Sequence, residues 1–134
     1  MNATFAGLLA LTLLCGTAQA QDRVSHTPVH FAKGASSTEV KGSIKGYDSV
    51  QYTLSAKAGQ QMTVKIAGSR NANFNVFAPG DKPGEANALG SGSVDTQWSG
   101  ALPASGSYTV QVYQMRASAR RGELAPHTLT VEIR

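Results

Sequence analysis

The sequence predicts an all-β protein, a single antiparallel β-sandwich of about eight strands. Apolar residues alternate with polar ones in short runs, which is the pattern of strands that bury one face. Dipeptides typical of turns separate these runs, and no stretch has the length and period of a long helix. The length of 134 residues fits one domain, and a hydrophobic content of 41% allows a packed core.

The alternation places the individual strands along the chain. Val50, Tyr52 and Leu54 share one face, while Gln51 and Thr53 lie on the other. The predicted strands span residues 29–33, 38–44, 50–56, 62–66, 74–77, 94–98, 108–112 and 129–133. Residues 78–92 are predicted to form a long surface loop, because they are rich in Pro, Gly, Asn and Asp. Residues 115–126 fit either a helical turn that ends at Gly122 or an extended excursion between the last two strands.

The first 20 residues have the pattern of a signal peptide. Phe5 to Leu14 is an almost unbroken apolar run, and Ala18-Gln19-Ala20 is a small-x-small cleavage pattern. Removing 20 of the 134 residues leaves a mature chain of 114 that holds no cysteine. Cys15 leaves lipidation as an alternative. We therefore expect an exported protein cleaved near Ala20, with a flexible N-terminal arm at 21–28 and a β-sandwich domain at 29–134.

Charge and composition argue against several functional classes. The three histidines lack metal-ligand spacing, no Gly-x-Ser-x-Gly motif is present, and the acidic residues are dispersed. We therefore expect no enzyme, no metal and no cofactor. The formal charge of +4 and the pI near 9.5 are compatible with anionic partners. The basic residues are spread along the chain, so we expect no nucleic-acid partner, and the apolar run is too short for stable membrane insertion.

Three arginines form the strongest candidate binding site. Arg116 and Arg120 share a face in a helical turn or in a strand, and Arg121 follows directly. Guanidinium groups suit carboxylates and phosphates because they present planar, permanently charged donors. The alternative is a solvated basic loop with Glu123 as its local counter-ion.

Two further features are candidate contact sites. In the segment from Leu102 to Tyr108, Gly106 allows a tight turn and Tyr108 starts the next strand, although an ordinary turn needs the same chemistry. Tyr47 follows Lys45-Gly46 in a predicted turn and is not part of the buried strand face that holds Val50 and Tyr52. An exposed tyrosine in a loop is a frequent binding anchor.

Several segments together resemble the bacterial periplasmic lysozyme inhibitors directed at goose-type (g-type) and invertebrate-type (i-type) lysozymes. The matching stretches are His30-Phe31-Ala32-Lys33-Gly34, Ile44-Lys45-Gly46-Tyr47-Asp48, Tyr52 through Gly59, Leu102-Pro103-Ala104-Ser105-Gly106-Ser107-Tyr108, and Tyr113-Gln114-Met115-Arg116-Ala117-Ser118-Ala119-Arg120-Arg121. The strand pattern also resembles the small β-sandwich domains appended to secreted peptidases. The arginine segment and the free-standing length favour the inhibitors.

The resemblance implies a β-sandwich whose loops enter the substrate cleft of a lysozyme and protect peptidoglycan from host or competitor enzymes. It implies inhibitory roles for Ser105, Gly106 and Tyr108, and further lysozyme contacts at Arg116, Arg120, Arg121 and Tyr47. The lysozyme partner is g-type or i-type, with the g type slightly favoured. The alternative function is a non-catalytic envelope module that binds glycan or protein. The oligomeric state stays open, with a homodimer among the alternatives.

Overall fold

The computed structural model describes residues 22–134, which form nine strands and one short helix. The strands are β1 (Val24–Pro28), β2 (Ser37–Lys45), β3 (Ser49–Ala56), β4 (Gln61–Gly68), β5 (Ala72–Phe77), β6 (Gly90–Ser93), β7 (Trp98–Ala101), β8 (Gly106–Gln114) and β9 (Leu124–Ile133). The helix α1 spans Arg116–Arg120. The predicted signal peptide lies outside the described residues.

The strands form two sheets that pack face to face. One sheet has five strands in the order β1-β3-β8-β5-β6, and the other has four in the order β2-β9-β4-β7. Every neighbouring pair is antiparallel except β1 and β3. This arrangement confirms the predicted antiparallel β-sandwich.

The core lies between the two sheets and is built from the inward positions of the alternating runs. On β3, Tyr52 and Leu54 are buried while Thr53 between them is partly exposed. The largest fully buried side chains are Tyr108, Phe74, Met62, Leu129, Val64, Val76, Val110, Val112 and Val131. Burial of this apolar surface is the main source of the fold's stability.

The structure differs from the prediction at the N-terminal arm and at two of the predicted strands. Residues 24–28, expected to belong to a flexible arm, form β1, because they pair in parallel with the first half of β3. Residues 29–33, predicted as a strand, follow it without pairing as one. Of the predicted strand at 94–98, only Trp98 lies in a strand, as the first residue of β7. Residues 94–97 form a turn between β6 and β7, closed by hydrogen bonds between the backbones of Ser93 and Thr96. Val94 and Trp98 pack on the core, which explains their apolar pattern.

Strand β8 runs the length of the five-stranded sheet and separates two groups of loops. Its nine residues span about 30 Å at a strand's rise per residue. The turns that flank Ser105 lie at one end, which we call the loop end. Helix α1 and the turn between β2 and β3 lie at the other, which we call the arginine end. Within residues 22–134, no helix is long and apolar enough to cross a membrane.

Candidate functional site

The arginine segment is a short helix fixed by its buried face. Ser118 and Ala119 are buried, and the Ser118 hydroxyl donates to the carbonyl of Met115 at 3.2 Å. Anchoring this face leaves the side chains of Arg116 and Arg120 exposed. Of the two forms that the sequence allowed, the structure has the helical turn, with Gly122 in the turn that follows it.

Glu123 joins this helix to the rest of the arginine end. Its backbone carbonyl accepts two hydrogen bonds, one from the side-chain amide of Gln114 at 2.6 Å and one from the backbone N–H of Gly46 at 2.9 Å. Its carboxylate accepts the side-chain amide of Asn71 at 2.7 Å. The chain after α1 is therefore tied to the end of β8, to the turn before β3 and to the turn before β5.

The three arginines differ in their partners. Arg121 donates to both carboxylate oxygens of Glu123, at 3.1 and 3.3 Å. That hydrogen-bonded pair lowers the pKa of the Glu123 carboxyl, with a further contribution from Asn71. Arg116 and Arg120 form no ion pair with any residue of the described range 22–134. The sequence offered Glu123 as a local counter-ion, and the structure pairs it with Arg121. Within residues 22–134, the guanidinium groups of Arg116 and Arg120 have no such partner.

Tyr47 lies beside the arginine helix, although 69 positions separate it from Arg116 in the chain. The turn between β2 and β3 places it with 48% of its surface exposed. Gly46 takes a positive φ of 58°, and a Cβ there would stand 3.3 Å from the carbonyl oxygen of Ala119. The turn therefore packs closely on α1, and the structure brings the predicted tyrosine and arginines together.

Ser105, Gly106 and Tyr108 lie at the opposite end of β8 and act within the fold. The Ser105 Oγ accepts the backbone N–H of Ala58 at 2.9 Å. Tyr108 is fully buried, and its hydroxyl donates to the carbonyl of Ala104 at 2.6 Å. Gly106 has a φ of 149°, and a Cβ there would approach the ring of Pro79 to 2.9 Å. The Tyr108 side chain is thus part of the core, and its role in inhibition stays a prediction.

The predicted site residues therefore form two groups. Tyr47 and the three arginines lie together at the arginine end, whereas Ser105 and Gly106 lie about 30 Å away along β8. The entry of both loops into one lysozyme cleft stays a prediction.

The histidines do not converge on a site. Within residues 22–134, no group of three His, Cys, Asp or Glu residues is placed to hold a metal ion. His127 is only 4% exposed, and its Nε2 lies 2.8 Å from the hydroxyl of Tyr52. Burial lowers its pKa, although the Ala125 carbonyl beside Nδ1 partly opposes this shift. A Cβ at Gly42 would stand 2.5 Å from the Tyr52 hydroxyl, so the missing side chain makes room for this pair.

Comparison with known proteins identifies the family. No protein-family model matches the chain. An inhibitor of g-type lysozyme from Escherichia coli strain K12 is 35% identical over 127 residues, which make up 95% of this chain and 93% of that protein. This chain belongs to the family of g-type lysozyme inhibitors.

Two solved structures of the family share the fold. The crystal structure of a periplasmic inhibitor of g-type lysozyme from Aeromonas hydrophila is 65% identical, with a TM-score of 0.83. That match covers 85% of this chain and all of the other. The corresponding inhibitor from Salmonella Typhimurium is 29% identical, with a TM-score of 0.65, over 82% of this chain and 98% of the other.

Proposed function

We propose that this protein inhibits g-type lysozyme in the periplasm and that the arginine end enters the enzyme's substrate cleft. Membership of the inhibitor family supports the target. One observation of the structure supports the choice of surface. Arg116 and Arg120 are exposed and form no ion pair within residues 22–134, and the turn that carries the exposed Tyr47 packs on their helix.

The chemistry of the target suits this surface. Glycosidases of the lysozyme class cleave their substrate with acidic side chains placed in a cleft. A guanidinium group that enters such a cleft forms charge-assisted and often bidentate hydrogen bonds with a carboxylate. Tyr47 adds an aromatic anchor with a polar tip. Exclusion of the substrate then needs no reaction, only an interface of about 1,600 Å² or more.

The backbone of this surface is already fixed in the unbound protein. The buried face of α1 and the hydrogen bonds of Glu123 fix the backbone that carries both free arginines. A fixed backbone reduces the conformational entropy lost on binding, so more of the interaction free energy appears as affinity. Arg121 contributes less, because Glu123 already occupies its guanidinium group.

Ser105, Gly106 and Tyr108 have a different role in this proposal. They hold the loop end together, and their effect on inhibition operates through the stability of the fold.

The mature chain begins near residue 21 after signal cleavage in the periplasm, which N-terminal sequencing of the exported protein tests directly.

The decisive experiment measures the peptidoglycan-cleaving activity of purified g-type, i-type and c-type lysozymes with increasing amounts of mature protein. We expect the g-type activity to fall at near-stoichiometric inhibitor, while the other two enzymes stay active. Unchanged g-type activity would contradict the proposal. Equal loss with all three lysozymes would contradict the selectivity for the g type.

A further inference from the structure

The two sheets differ in charge. None of the five strands β1, β3, β5, β6 and β8 contains Asp, Glu, Lys or Arg. The four strands of the other sheet contain five such residues, which are Glu39, Lys41, Lys45, Lys65 and Glu132. The outer face of the five-stranded sheet is therefore an uncharged surface on a protein with 20 charged residues.

Amide and hydroxyl side chains cover this face in register. Gln51, Gln111 and Asn75 lie directly opposite one another on β3, β8 and β5, so their backbones are about 4.8 Å apart. Thr53 and Thr109 form the next row, and Tyr113 lies on β8 beyond Gln111. All six are partly exposed. Within residues 22–134, no hydrogen bond engages the side-chain amides of Gln51, Gln111 or Asn75.

A pocket continues the face toward the loop end. It has a volume of about 360 Å³ and is lined by Thr53 and Ser107 from the sheet and by His30 and Phe31 from the segment after β1. From Ser107 to Tyr113, the polar line along β8 extends for about 20 Å. The face is therefore an extended polar surface with Phe31 near one end and Tyr113 near the other.

We propose that this face binds an uncharged, N-acetylated glycan strand. Amide and hydroxyl groups both donate and accept, as the hydroxyl and acetamido groups of such a glycan require. Tyr113 and Phe31 offer apolar ring surface to sugar C–H groups. The lack of cations disfavours phosphates and anionic polymers, for which guanidinium and ammonium groups are the usual partners. This site goes beyond the proposed inhibition and uses a different surface.

The test is a titration of the mature protein with a chitin oligosaccharide, followed through the amide resonances of an isotope-labelled sample. We expect weak binding, with a Kd of about 0.1–1 mM, and shifts confined to the face that carries Gln51, Gln111 and Asn75. Gln111→Glu should weaken binding about tenfold or more, because it introduces a carboxylate that accepts but does not donate. Gln61→Glu on β4 is the matched change in the other sheet and should leave binding unaltered.

Other outcomes would overturn the proposal. These are the absence of shifts, shifts on another surface, equal binding of a cello-oligosaccharide that lacks acetamido groups, or equal binding of polyglutamate. Shifts of the same resonances on simple dilution would identify a second copy of the chain as the occupant and contradict glycan binding. Gln111→Glu should retain full lysozyme inhibition, so failure of this proposal and failure of the proposed function are separate results.

Discussion

The two ends of β8 use their polar side chains in opposite ways. At the loop end, the Ser105 and Tyr108 hydroxyls are engaged with the backbones of Ala58 and Ala104. At the arginine end, the guanidinium groups of Arg116 and Arg120 point away from the fold and have no ion-pair partner within residues 22–134. The difference is that the fold uses the polar groups of the loop end for its own hydrogen bonds and leaves the two guanidinium groups available to a partner.

Under the proposed function, the arginine end provides affinity and the loop end provides stability. A change at the arginine end should then alter inhibition with little effect on unfolding. A change at the loop end should do the reverse. Variants at both ends test this division, beginning with the largest expected effect.

The double substitution Arg116→Ala and Arg120→Ala should weaken binding to g-type lysozyme by about 3–5 kcal/mol, because each removes a charge-assisted contact with a cleft carboxylate. The thermal midpoint should stay nearly unchanged, since both side chains are exposed. Isothermal titration with the lysozyme and thermal unfolding of the inhibitor measure the two effects.

The double substitution Lys33→Ala and Lys57→Ala provides the matched control, because it also removes two positive charges. Both side chains are exposed, and Lys57 precedes Ala58 at the loop end, away from α1. Affinity should therefore change little. Retained inhibition by the arginine double variant would show that the arginine end is not the contact surface.

Tyr108→Phe should destabilise the fold by about 1–2 kcal/mol, because Ala104 loses both hydrogen bonds that the tyrosine hydroxyl makes. Inhibition by the folded variant should be unchanged. Urea unfolding and an inhibition titration at a temperature where the variant is folded separate the two properties. Weaker inhibition at unaltered stability would place Tyr108 in the interface.

The alternation of apolar residues predicted both the fold and most of the inward positions. It also carried a signal about Tyr108, which shares its phase along β8 with Val110 and Val112 and therefore points inward. The motif around Ser105 suggested a contact site, yet the strand phase was the better guide to this tyrosine. The separation of the two ends also follows from β8, because loops that flank one strand lie at opposite ends of it.

Other features depend on contacts that sequence patterns do not reveal. The hydrogen bond between Tyr52 and His127 joins residues 75 positions apart. Strand β1 has no apolar alternation, and its parallel pairing with β3 depends on the edge that the sheet leaves open. The sequence singled out the Tyr47 turn and the arginine segment separately. Their packing against each other depends on the arrangement of the strands in the folded protein.

The buried His127 should make stability fall as the pH is lowered. Its native pKa is below the ordinary value, so the unfolded chain takes up a proton at a higher pH than the native chain does. The contribution is therefore complete above about pH 6.5 and is lost as the pH falls toward the native pKa, by at most about 1.4 kcal/mol per pH unit. Urea unfolding across this range measures the slope. His127→Gln removes the titrating group and should flatten the curve, so an identical slope in the variant would contradict this account.

Ser105→Ala should have the smallest effect and gives the sharpest test of the division between the two ends. The variant loses the Oγ that accepts the N–H of Ala58, but both residues are exposed, so water replaces the acceptor and the cost should be under about 1 kcal/mol. Inhibition should be unaltered, because Ser105 lies about 30 Å from Arg116 along β8. Urea unfolding and the inhibition titration again provide the measurements. A tenfold loss of inhibition at unchanged stability would mean that the lysozyme also contacts the loop end, and the interface would then have to extend along the whole edge of the sandwich.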